Sequence, residues 1–148
     1  MRGFIICALA LAFYGADAKT YKVSDINAFN KAVKVVLPGD SIVMADGVWK
    51  DVEFKFKGKG TKASPIVLTV ETPGKCTVEG VSQLRLSGEY LVVDGLVFIN
   101  GHAPKEKVTI DFRTSSEDFA YNSVVRNCVI DHFNYPDKSV KAPVGLRW

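Results

Sequence analysis

The spacing of apolar residues changes character twice along this chain. Phe4 to Tyr14 form an almost unbroken apolar run, with Arg2 before it and the small-x-small pattern Ala16-Asp17-Ala18 after it. That layout predicts a cleavable secretory signal over residues 1–18. The run is shorter than the roughly 20 apolar residues a membrane-spanning helix takes. Cys7 lies inside it without the small residue that a lipoprotein site needs directly before the cysteine. Next, Ile26, Phe29, Ala32, Val33 and Val36 fall on one face at helical spacing and predict an amphipathic helix over about 24–36. Ser24 is its expected N-cap, Asp25 suits the positive end of the helix dipole, and Pro38-Gly39 stops it.

After Asp40 the period shortens to that of strands. Ile42–Ala45 opens the series, and Val52–Phe56 alternates, with Phe54 and Phe56 on one face and Glu53, Lys55 and Lys57 on the other. Gly58–Ser64 reads as a turn. Further runs are Ile66–Val70, Cys76–Val78, Leu84–Leu86, Leu91–Ile99, Val108–Phe112 and Val124–Ile130. Val43–Trp49 resembles Val92–Phe98, which in turn resembles Val124–Ile130. Starts at Ile42, Ile66 and Leu91 recur every 24–25 residues, a spacing typical of solenoids. The next start, near Ser123, comes late. The excess falls in His102–Lys107 and Thr114–Tyr121, polar stretches that read as loops leaving the coil, where solenoids often build a binding face. Successive apolar positions such as Leu91-Val92-Val93, and turns that return at matching places, favour a parallel β-solenoid over a sandwich. The helix is then a lid on the first coil.

Charge and cysteine content refine this picture. A net charge of +3 fits a polyanionic substrate and an ordinary soluble protein equally well. Aromatics are not interleaved with a basic stripe, which argues against nucleic acid. No segment after the signal looks membrane-inserting. Cys76 and Cys128 fall on non-adjacent coils about 9–10 Å apart, too far for a disulfide, so both are expected as free thiols.

The residues Leu37-Pro38-Gly39-Asp40-Ser41-Ile42, Asp46-Gly47-Val48-Trp49, Ser64-Pro65-Ile66, Leu84–Phe98 and Asn127–Phe133, in that order and spacing, resemble the polysaccharide lyase family of alginate lyases and chondroitinase B. The resemblance covers roughly Tyr21 to Lys138. It implies an all-β, right-handed, single-stranded parallel β-helix with the helix as its N-terminal cap. It also implies a secreted or periplasmic enzyme that cleaves uronate-containing polysaccharide by β-elimination, with alginate the first substrate and chondroitin or dermatan sulfate the second. Such enzymes are expected to use calcium held by an Asn and glutamates, a lysine base and an arginine near the leaving oxygen. Those residues belong to later coils, and none maps onto this chain, so no catalytic, cofactor or metal residue is assigned. The tail Ala142–Trp148 departs from the expected coil. The chain therefore reads as the truncated N-terminal portion of a lyase, inactive alone, with an acidic polysaccharide as partner. Its oligomeric state stays open. The alternative is a non-catalytic carbohydrate-binding or scaffold solenoid.

Several residues invite functional readings. His132 after Asp131, and His102, are the only histidines, and each lacks a positioned partner in sequence, so both are expected at turns. Asp111, Glu117 and Asp118 match no calcium-loop spacing and are expected as solvated acids. Lys55, Lys57, Lys59 and Lys62 form the densest basic group, read as the wet face of an early coil. Asn100 and Asn127 are expected in an asparagine ladder at a bend. Trp49 and Tyr90 are expected in core or corner packing.

Overall fold

The structure, a computed structural model, describes residues 17–137, 139 and 146–147. The expected signal lies outside these residues apart from Asp17 and Ala18, as does most of the divergent tail. Among the described residues no helix is long and apolar enough to cross a membrane.

The chain winds as a parallel β-solenoid of about three turns. β1 (Thr20–Val23) precedes α1 (Ile26–Val33). The first coil is β2 (Ser41–Met44), β3 (Gly47–Lys50) and β4 (Glu53–Lys59). The second is β5 (Ile66–Val70), β6 (Cys76–Val81) and β7 (Gln83–Glu89). The third is β8 (Leu91–Asp94), β9 (Val97–His102), β10 (Ile110–Asp111) and β11 (Ala120–Tyr121). β12 (Val124–Arg126), β13 (Val129–Phe133) and β14 (Leu146–Arg147) begin the next turn. Three parallel sheets result, ordered β1-β2-β5-β8-β12, β3-β6-β9-β13 and β4-β7-β10-β14, with β11 also on β7.

Stacking in register builds the core. Ile42, Leu68, Val93 and Val125 form one inward column, and Trp49, Val78, Phe98 and Ile130 another. Phe54, Leu84 and Ile110 form a third. Burial of such columns, at about 25 cal/mol per Å² of apolar surface, supplies the main stabilising term. α1 lays Phe29 edge-on to Phe54, with ring centroids 5.1 Å apart, and so covers the start of the solenoid. Its N-cap is Asp25, not Ser24: the Asp25 carboxylate accepts from the Ala28 N–H at 2.8 Å. α1 is also shorter than expected, because only Phe29 and Ala32 are deeply buried and the chain turns away after Lys34.

β1 was not expected. It extends the first sheet by pairing with β2, from Thr20 beside Ser41 to Val23 beside Met44. Asp40 fastens it there. This buried carboxylate accepts from the backbone N–H of Lys19 and of Leu37, both at 2.8 Å.

Left-handed residues make the corners. Asp51, Gly80, Asn100 and His132 stand at the corner between the second and third sheets, with φ of 55, 67, 52 and 49°. Gly95 and Asn127 turn the chain from the first sheet to the second, and Tyr90 and Asn122 from the third to the first. These corners divide two runs read as single strands: Leu91–Ile99 breaks at Gly95, and Val124–Ile130 at Asn127. They also separate Asn100 from Asn127, which occupy different corners and form no ladder with each other. β4 continues through Lys59, two residues into the expected turn.

Register partners Ser41, Val67, Val92 and Val124 give successive coils of 26, 25 and 32 residues. Val92–Phe98 and Val124–Ile130 coincide position for position. Val43–Trp49 does not coincide with Val92–Phe98 on the first sheet. Val93 aligns with Ile42 through Leu68, because the first coil spends two more residues on its corner before Trp49 aligns with Phe98.

Candidate functional site

The third sheet turns an outward face toward solvent, and its side chains follow from strand alternation. With Phe54 and Phe56 inside, Lys55, Lys57 and Lys59 must point out. One rung on, Arg85, Ser87 and Glu89 are their register partners. The third rung leaves the sheet after Asp111, which pairs with Arg85, and returns at Ala120, which pairs with Gly88. The residues between form an excursion, closed at its base by an antiparallel bridge from Arg113 to Phe119. This is one of the two stretches whose polarity marked it as leaving the coil.

Polar contacts hold the excursion against the face. Thr114 Oγ1 donates to Ser87 Oγ at 2.8 Å, in a buried contact. Lys57 Nζ lies 3.1 Å from Asp118 Oδ2. That hydrogen bond and the lysine charge hold the Asp118 carboxyl below its ordinary range. Ser115 Oγ accepts from the N–H of Glu117 and Asp118 at 3.2 and 3.0 Å, folding the tip on itself. Nearer the second sheet, Glu53 takes Lys55 at 3.2 Å and Arg85 at 3.3 Å. Lys59 has no ion-pair partner among the described residues.

Between the excursion and the sheet lies an open cleft of about 380 Å³. Lys57, Lys59, Glu89, Asp118, Phe119 and Tyr121 rim it, and Gly58 and Gly88 contribute backbone alone. Gly88 is obligatory there: its φ is +113°, and a Cβ would collide with the Gly58 carbonyl. Sequence reading found the loop and the lysines but missed Ser87, Gly88 and Tyr121 as parts of one site. Their only signal was the register that stacks them.

The other singled-out residues are dispersed. His132 is exposed at its left-handed corner, with Nδ1 2.8 Å from Asp131 Oδ1. His102 ends β9, where its Nδ1 contacts the Ala103 carbonyl at 2.8 Å and its ring meets Tyr135 edge-on at 4.8 Å. Asp111 is buried, not solvated, 3.7 Å from Arg113 Nε, because it faces into the base of the excursion. Asp118 is likewise ion-paired, while Glu117 is exposed. Lys62 is exposed in the loop after β4. Trp49 packs against Phe54 at 5.7 Å and donates from Nε1 to the Ala45 carbonyl. Tyr90 is half-buried at a corner.

Cys76 and Cys128 are free, and Leu96 on the intervening coil lies in their column. No group of three or more His, Cys, Asp or Glu able to hold a metal occurs among the described residues.

The chondroitinase B family model matches residues 23–143. The PL6 family alginate lyase AlyGC is 42% identical, with a TM-score of 0.78, over 80% of this chain and 16% of its own. The PL6 lyase Pedsa3628 from Pseudopedobacter saltans is 33% identical, with a TM-score of 0.75, over 84% of this chain and 27% of its own. A mannuronic acid specific family 6 lyase from human gut microbiota is 32% identical, with a TM-score of 0.73, over 87% of this chain and 31% of its own. The chain thus spans less than a third of the length of these solved relatives. A comparison with curated proteins finds no match.

Proposed function

The chain belongs to the chondroitinase B family of polysaccharide lyases, and from that premise we propose that it forms the first coils of a secreted enzyme cleaving uronate-containing polysaccharide by β-elimination. Alginate is the first substrate in this reading, and chondroitin or dermatan sulfate the second. The 42% identity to an alginate lyase over 80% of this chain carries it.

The chemistry sets what the whole enzyme must supply. The proton α to a uronate carboxylate is weakly acidic, so a base must sit beside it and the carboxylate's charge must be offset as the carbanion develops. In this reading the base and the groups that offset the charge belong to later coils. Calcium belongs to the whole family member in this reading, and no step is assigned to it here. These coils fix the strand register on which later coils stack, and they present the outward face of the third sheet. The Ala16-Asp17-Ala18 pattern behind an apolar run supports export.

The test grafts residues 19–133 in place of the matching coils of AlyGC and follows ultraviolet absorbance of the unsaturated product. A rise with alginate from the graft, and none from the chain alone, supports the proposal. A rise from the chain alone would place the catalytic groups within it. A folded graft inert on alginate and dermatan sulfate would favour a binding scaffold.

A further inference from the structure

We propose that the cleft on the third sheet is a binding subsite for an unsulfated hexuronate chain, selecting alginate-like polymers against sulfated ones. This deepens the lyase reading and rests on it for the class of substrate.

Three side chains define the site by register. Lys59, Glu89 and Tyr121 are stacked partners, one per coil. Rungs are about 4.8 Å apart, so the ends of this column stand about 10 Å apart, a span that a sugar ring and a lysine side chain together bridge. Tyr121 and Phe119 are exposed aromatics, 58 and 39% accessible, at the cleft wall. The apolar face of a pyranose ring covers such a surface, and the tyrosine hydroxyl stays wet. A ring stacked on Tyr121 directs its carboxylate along the column toward Lys59, the one cleft cation without an ion-pair partner among the described residues. Glu89, between them, accepts from ring hydroxyls. The backbone floor at Gly58 and Gly88 leaves room for the ring.

Charge decides which polymer fits. Glu89, Glu117 and Asp118 face two ammonium groups, and Lys57 is already committed to Asp118. One carboxylate per sugar can be matched by Lys59. A sulfate added to the same unit would meet surplus carboxylates with no cation left, and like charges brought together oppose binding.

Titration calorimetry of the purified chain tests this with short mannuronate–guluronate oligomers and dermatan sulfate oligomers of equal length. Saturable binding of the unsulfated oligomer is expected, with weaker binding of the sulfated one and a narrower gap in Glu89→Gln. Tyr121→Ala and Lys59→Gln should each weaken the unsulfated oligomer about tenfold, while Tyr121→Phe retains affinity. Lys59→Gln changes an exposed side chain and carries the test if Tyr121→Ala misfolds. No binding, unchanged affinity in Lys59→Gln, or equal affinity for the sulfated oligomer would overturn the subsite. If the AlyGC graft still cleaves alginate in that case, the lyase reading stands without it. Binding intact with an inert graft would leave the subsite and remove the lyase reading.

Discussion

Lys57 and Asp118, 61 positions apart in sequence, form a 3.1 Å ion pair that clips the third coil's excursion onto the face of the first coil. The bond reaches across two rungs, from β4 to a loop that never joins the sheet. Both side chains are about half exposed, so solvent and salt screen the pair and its effect on global stability is small. Its consequence is local: it sets where the cleft wall stands.

The Asp118 titration is the direct check. Its carboxyl is held below the ordinary range, first by the Lys57 hydrogen bond. A lowered folded value means the contact is intact above the ordinary carboxylate range and is lost only as pH falls through the lowered one. Carbon NMR should show the Asp118 midpoint below that of a free aspartate and raised toward it in Lys57→Ala. An Asp118 midpoint indifferent to Lys57 would contradict the pairing.

Gly88→Ala should be among the most damaging single substitutions. The new Cβ meets the Gly58 carbonyl, and the backbone keeps a φ of +113°. A loss of about 3 kcal/mol is expected in urea unfolding. Gly74→Ala is the control: its φ is also positive, at +80°, but no atom lies within 4 Å of the added carbon. It should cost about 1 kcal/mol.

Asp40→Ala removes one acceptor from two backbone donors, at Lys19 and Leu37. Because the carboxylate is buried, a loss of about 2 kcal/mol is expected. Hydrogen exchange should accelerate first in Thr20–Val23. Asp46→Ala, which gives up an exposed bond to the Thr72 N–H, should cost about 0.5 kcal/mol. Equal losses in the two variants would argue against Asp40 as the anchor of β1.

The thiols offer a chemical readout. Burial, with a smaller push from the Asp46 charge, raises Cys76 from 9.0 to about 11, and burial raises Cys128 as well. The thiolate is the nucleophile. Native protein at about pH 8 should therefore leave Cys76 unlabelled by thiol reagents until denaturant is added. The sign for stability is the reverse of the Asp118 case: this contribution is whole below pH 9.0 and fades as pH rises toward about 11. Fast native labelling of Cys76 would contradict its burial.

What the sequence disclosed depended on how regular the coil was. Between the third and fourth rungs, where corner lengths match, Val92–Phe98 and Val124–Ile130 align without a gap. At the first coil the corner is longer, and the same motif comparison slips by two positions, which apolar alternation cannot detect because a shift of two keeps every side chain on its face. β1 was hidden because its partner β2 lies beyond the helix, so nothing local marks it as a strand. Ser24 and Asp25 both satisfy the N-cap pattern, and only the Ala28 contact separates them.

The cleft was half legible. The lysines followed from alternation, and the loop from its polarity. The partners Ser87, Glu89 and Tyr121 are 30, 30 and 62 residues from Lys57, Lys59 and Lys59, and only a rung-by-rung register unites them. Asp111 was misjudged for the same reason: the excursion that buries it begins one residue later, and sequence alone does not say on which side of a loop's base a carboxylate will fall.

The excursion between Asp111 and Ala120 leaves the register on either side unchanged, and this bears on how the chain finds its fold. Each rung is secured by contacts between residues one coil apart, 20 to 36 positions here. That separation depends on the coil and not on the length of the polypeptide. Closing a loop costs only logarithmically more as it lengthens, so eight residues of detour add little to the entropic barrier of laying down a rung. Folding can then spread from the helix-covered first coil at a nearly constant rate per turn, and growth of such a chain by further coils lengthens the task without making any single step harder.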